Sequence, residues 1–139
     1  MSLLGGASPT NRRSALKVIG LALLAACDAT VARLKGKKLV DVAALAQVPR
    51  DSVYRTTHDD QPLIVVNDGG TIRTFLAVCT HEGCPLGWNP NQHLIRCPCH
   101  GSAFDVSGHV VNGPATRPLT QLETFIERGR VLVSNSVGS

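Results

Sequence analysis

Eight short strand-like runs punctuate the chain, at residues 38–42, 53–57, 62–66, 71–78, 94–96, 109–111, 121–126 and 130–134. Turn signals such as Asp68-Gly69-Gly70 and Arg128-Gly129 separate them, as expected where a chain reverses between strands. No helix-period stretch of useful length interrupts the series, apart from one turn at 42–46. The pattern predicts an all-β fold. Composition agrees: aromatic residues make up only 4% of the 139, against 13 glycines and 8 prolines, which suits a small, loop-rich β protein. A chain of this length holds one domain around one modest core, with a short leader.

The leader differs in character from the rest. Thr10 to Cys27 reads T-N-R-R-S-A-L-K-V-I-G-L-A-L-L-A-A-C, a charged start followed by an apolar run from Val18. Those last 10 residues span about 15 Å as a helix, half of a hydrocarbon core of about 30 Å, so a targeting segment is expected rather than a spanning helix. The pair Arg12-Arg13 resembles a twin-arginine export signal, with an ordinary secretory signal as the plainer alternative. Leu24-Ala25-Ala26-Cys27 resembles a bacterial lipobox, which makes Cys27 a lipidation site; the alternative is a small apolar residue in an uncleaved anchor. Residues 1–26 are therefore read as an export signal, 27–38 as a tether carrying Lys35, Lys37 and Lys38, and 39–139 as the folded domain. The expected location is the periplasmic face of a bacterial inner membrane, held by a lipid or N-terminal anchor. The formal charge of +4 owes much to the leader: beyond it, 11 of the 14 basic residues face all 10 acidic ones. A near-neutral domain has no electrostatic footprint for nucleic acid.

Chemistry concentrates in two boxes, Cys79-Thr80-His81-Glu82-Gly83-Cys84 and Cys97-Pro98-Cys99-His100-Gly101-Ser102. The first follows one strand-like run and the second follows another, which puts both on hairpin loops at one end of the β framework. Each offers a cysteine and a histidine to a shared metal: Cys79 with His81, and Cys97 with His100. Two thiolates and two imidazoles suit either tetrahedral zinc or a [2Fe–2S] cluster in which histidines replace cysteines on one iron. Zinc leaves Cys84 and Cys99 unexplained. His58, His93, His109 and Asp59-Asp60 have no ligand spacing and read as surface positions, and Trp88 reads as a packing residue. No Ser/His/Asp arrangement, paired carboxylate or phosphate loop is present.

The pattern C-x-H-x-G-C, then C-P-C-H-G-S-x-F-D, then Gly113-Pro114-Ala115, resembles the Rieske iron–sulfur family, in the branch found in quinol-oxidising cytochrome bc and bf complexes. The likeness extends over about residues 40–134. It implies a base of antiparallel sheets with a cluster-binding subdomain, about 79–115, inserted into it. It implies one [2Fe–2S] cluster per chain, with Cys79 and Cys97 on one iron and His81 and His100 on the other. A Cys84–Cys99 disulfide would clamp the two loops, and Cys27 as an anchor then uses all five cysteines. Neutral imidazoles make the reduced state easier to form, so Rieske centres span roughly −150 to +300 mV against about −400 mV for plant-type clusters. In the family, His100 matches the position that hydrogen-bonds quinol, and the Ser102 hydroxyl donates to a bridging sulfide. The 113–115 segment matches the loop that covers the cluster without ligating it. Where quinone-complex relatives often carry a tyrosine that donates to a ligand cysteine, this chain has Phe104, so a lowered potential is expected.

The function so implied is an electron-transfer subunit of a membrane quinol:cytochrome c oxidoreductase, not catalytic alone. It takes an electron and a proton from quinol beside cytochrome b and passes the electron to a c-type cytochrome. The Rieske subunit of a periplasmic oxidase such as arsenite oxidase can share the export signal and the disulfide. A soluble Rieske ferredoxin usually has neither.

Overall fold

The computed structural model describes residues 37–134. The export signal, Cys27 and most of the tether lie outside the described residues.

Among the described residues, strands form three antiparallel sheets. The first orders β1 (Leu39–Ala44), β11 (Arg130–Ser134) and β10 (Thr124–Glu127). The second orders β2 (Ser52–His58), β3 (Gln61–Asp68), β4 (Thr71–Leu76) and β9 (Gln121–Leu122). The third orders β5 (Gly87–Asn89), β6 (Leu94–Arg96), β7 (Ala103–Phe104) and β8 (Val110–Asn112). Since β4 and β9 pair directly, Thr74 opposite Leu122 and Phe75 opposite Gln121, the whole third sheet is inserted in the connection between two neighbouring strands. The all-β, antiparallel architecture with an inserted subdomain is as expected.

The middle sheet explains why β3 reads as an unbroken apolar run. Alternate side chains of a strand point to opposite faces, and here both faces are covered. Ile64 and Val66 pack with Phe75, Leu86, Ile95 and Phe104 toward the inserted sheet. Leu63 and Val65 pack with Val42, Val48, Val131 and Val133 toward the first sheet.

Several boundaries differ from the sequence reading. The run at 121–126 is two strands in two sheets. The break falls at Glu123, whose carbonyl accepts the Ser134 N–H at 2.9 Å, while Thr124 Oγ1 donates to the Leu122 carbonyl at 3.0 Å. The run at 71–78 stops pairing at Leu76, and Val78 makes an isolated bridge to Pro85. The turn expected at 42–46 falls at Leu45–Gln47, where the Gln47 side chain accepts the Ala44 N–H at 2.9 Å. Strands β5 and β7 are additional.

Candidate metal centre

The two boxes fold into the same backbone turn. In the first, the Cys79 N–H donates to the Cys84 carbonyl and the Gly83 N–H to the Cys79 carbonyl, each at 2.8 Å. In the second, the Cys97 N–H donates to the Ser102 carbonyl at 2.8 Å and the Gly101 N–H to the Cys97 carbonyl at 3.2 Å. Both boxes are six residues long with glycine fifth, because the closing bond requires a left-handed residue there: φ is +74° at Gly83 and +80° at Gly101. Cys84 and Cys99 are joined as a disulfide, which ties one turn to the other.

This arrangement sorts the donors by burial. Cys79 and Cys97 are free thiols, 4% and 3% exposed. His81 and His100 are exposed, with ring centroids 5.2 Å apart and planes nearly perpendicular. The Cys97 sulfur lies within 4.8 Å of both disulfide sulfurs, and on the outer side His81, Glu82 and His100 gather within the same span. Burial pushes the Cys79 thiol up, but the His81 amide, the Cys97 and Ser102 side chains and the Glu82 amide together hold it below the ordinary thiol value. Donors aimed at a buried sulfur favour its thiolate form, the form that binds metal.

A third segment closes the site. Ser102 is fully buried and its Oγ accepts the Ala115 N–H at 3.0 Å. Asn112 donates its side-chain amide to the carbonyls of Gly101, at 3.1 Å, and Gly113, at 3.0 Å, fastening the second box to the 113–115 loop. Thr80 Oγ1 donates to the Arg117 carbonyl at 2.6 Å while the Arg117 guanidinium donates back to the Thr80 carbonyl at 3.2 Å. An open cleft of about 570 Å³ runs along the outer flank of the first box, lined by His81, Glu82 and Arg117. Phe104 is fully buried in the cluster that holds Cys79 and Cys97. Thr80 and Glu82 lie inside the first box and Asn112 just before the 113–115 loop, and position alone marks them in the sequence.

The residues read as surface or packing positions make contacts of their own. His58 pairs with Asp59 at 3.2 Å and His109 with Asp105 at 3.4 Å, and Trp88 packs against the core with its ring 5.9 Å from His93.

A tetrahedral ion needs four donors around one point, whereas these form a buried sulfur layer and an exposed nitrogen layer. That division fits a two-iron cluster with unlike ends. Sequence comparison decides the matter: the model of the Rieske [2Fe-2S] domain matches residues 38–125. The chain belongs to the Rieske family. Its cofactor is accordingly a [2Fe–2S] cluster, and the zinc alternative is set aside. The cytochrome b6-f complex iron-sulfur subunit of Chlorobaculum tepidum is 38% identical over 103 residues, 70% of this chain and 57% of that protein, so the Rieske chain spans little more than half of that relative's length. The cyanobacterial plasma membrane Rieske protein PetC3 from Synechocystis PCC 6803 superposes with a TM-score of 0.61 at 31% identity, over 68% of this chain and 98% of that one. A ferredoxin of carbazole 1,9a-dioxygenase from Nocardioides aromaticivorans IC177 shares the fold, with a TM-score of 0.59 at 23% identity over 71% of this chain and 99% of its own. The Rieske fold therefore serves carriers of more than one kind, and function has to be argued from the site.

Proposed function

We propose that this chain is the Rieske electron-transfer subunit of a membrane-bound quinol:cytochrome c oxidoreductase. The observation that carries the reading is the disulfide-joined pair of turns, with free thiols inside and imidazoles exposed at the tip. In this reading Cys79 and Cys97 hold one iron, and His81 and His100 hold the other. The bound cluster supplies reversible one-electron chemistry in the Rieske range. The buried cysteines keep water from the sulfur end, which raises the influence of every nearby dipole. His100, with 49% of its side chain exposed, presents its imidazole to the hydroxyl of a quinol and takes up the proton that leaves with the electron. Ser102 and Asn112 hold the 113–115 loop over the centre, so the open direction is the one the imidazoles face.

The b6-f subunit and the plasma membrane protein among its relatives support a membrane complex with cytochrome b and a c-type cytochrome as partners. Among the described residues no helix is long and apolar enough to cross a membrane. Attachment is assigned to the leader: residues 1–26 as a twin-arginine-like export signal, lipidated Cys27 as the anchor at the periplasmic face, and 27–38 as the tether to the domain at 39–139.

Purification of the full chain from its native membranes tests this. Co-purifying b- and c-type haem, an axial paramagnetic signal after reduction, and an acylated Cys27 terminus by intact mass are the expected results. A co-purifying molybdenum subunit would replace the reading with a periplasmic oxidase, and recovery wholly in the soluble fraction would replace it with a ferredoxin.

A further inference from the structure

Glu82 stands between the ligand candidate His81 and the turn residue Gly83, with 58% of its side chain exposed. Its backbone is fixed from three directions. Its own amide points at the Cys79 sulfur, the next residue's N–H closes the turn on the Cys79 carbonyl, and Cys84 two residues on is held by the disulfide. The side chain reaches back over the tip, where Oε2 lies 3.5 Å from His100 Nδ1 and within 4.8 Å of a ring nitrogen of His81. The cation tied to the same turn, Arg117, is engaged with the Thr80 carbonyl.

With a cluster held by His81 and His100, reduction would add negative charge within reach of this carboxylate. Coulomb repulsion then opposes reduction, and it is weakened by salt because the tip is exposed. We infer that Glu82 is a tuning residue, whose charge holds the reduction potential of the centre down and makes it dependent on ionic strength. This rests on the ligand assignment proposed above.

The test compares the cluster-loaded protein with Glu82→Gln and Glu82→Lys by protein-film voltammetry at low and high salt. Gln keeps the shape and removes one charge; Lys changes the charge by two. The midpoint potential is expected to rise in the order Glu, Gln, Lys, with the Lys shift about twice the Gln shift. The spacing should contract as the Debye length falls from about 30 Å at 0.01 M to about 3 Å at 1 M salt. Equal potentials, or a spacing indifferent to salt, would overturn the inference. If the three proteins keep the axial signal of a reduced Rieske centre while their potentials coincide, only the role of Glu82 falls. If the parent protein lacks that signal, the ligand assignment falls and the inference with it.

Discussion

The Ser102 hydroxyl has one proton and two lone pairs, and the structure uses both capacities. It accepts the Ala115 N–H at 3.0 Å and faces the Cys79 thiol. A donor aimed at cluster-binding sulfur stabilises the extra negative charge of the reduced state, which is how hydrogen bonds tune such centres. Phe104, two residues on and fully buried with Cys79 and Cys97, offers no donor. Ser102→Ala is therefore expected to lower the midpoint potential by roughly 60–130 mV, the one-electron equivalent of about 1.5–3 kcal/mol for a hydrogen bond to a charged group. Phe104→Tyr is expected to raise it, with a ceiling of about the same size set by the same bond. Voltammetry that finds both variants unchanged would remove hydrogen bonding to sulfur as the tuning mechanism here.

At the scale of elements, legibility tracks how local the cause is. The strands expected at 94–96 and 130–134 match the structure to the residue, because each is a short apolar-centred run bounded by turn signals. The run at 121–126 carries no turn signal that divides it: Leu122 precedes Glu123, Thr124, Phe125 and Ile126 follow it, and only the pairing of Leu122 with Thr74 and of Thr124 with Val133 splits it between sheets. Strand β7 is two residues long and is defined wholly by its partners. The centre follows the same rule. A site of two thiolates and two imidazoles demands cysteine and histidine at close spacing, so the ligand candidates announce themselves, whereas the contact of Glu82 with His100, the bonds of Asn112 and the Thr80–Arg117 exchange act through space and have no spacing pattern to announce them. Gly108 is another such case. It has φ +83°, and a Cβ there would sit 2.6 Å from Cε1 of Phe75, the residue that links the middle sheet to the inserted one. Gly108→Ala is expected to destabilise by about 2–5 kcal/mol, about 1–2 from the left-handed backbone and about 1–3 from overpacking. The check is a fall in the urea midpoint; an unchanged midpoint would mean that Phe75 gives way freely.

For the whole molecule, the two apolar clusters set what the disulfide can do. Cys84 and Cys99 are 15 residues apart and both lie in the inserted segment, whose Cys79, Cys97, Ile95 and Phe104 share one cluster with Ile64 and Phe75. The other cluster, built on Val42, Val65, Val131 and Val133, contains no residue of either box. Closing a loop of that size limits the unfolded segment by about 3 kcal/mol in the chain-entropy model, and that constraint acts on the inserted part. In the Cys84→Ser/Cys99→Ser variant, amide hydrogen exchange is expected to accelerate through 79–115 while β1 and β11 stay protected, and the cluster should be lost at a lower temperature than from the parent protein. The two turns would still form singly, since their closing bonds are internal to each box. What they lose is their mutual register, and with it the juxtaposition of a thiol and an imidazole from each side. A uniform loss of protection, reaching β11 as strongly as the boxes, would mean instead that the domain is a single cooperative unit with the disulfide bearing on all of it.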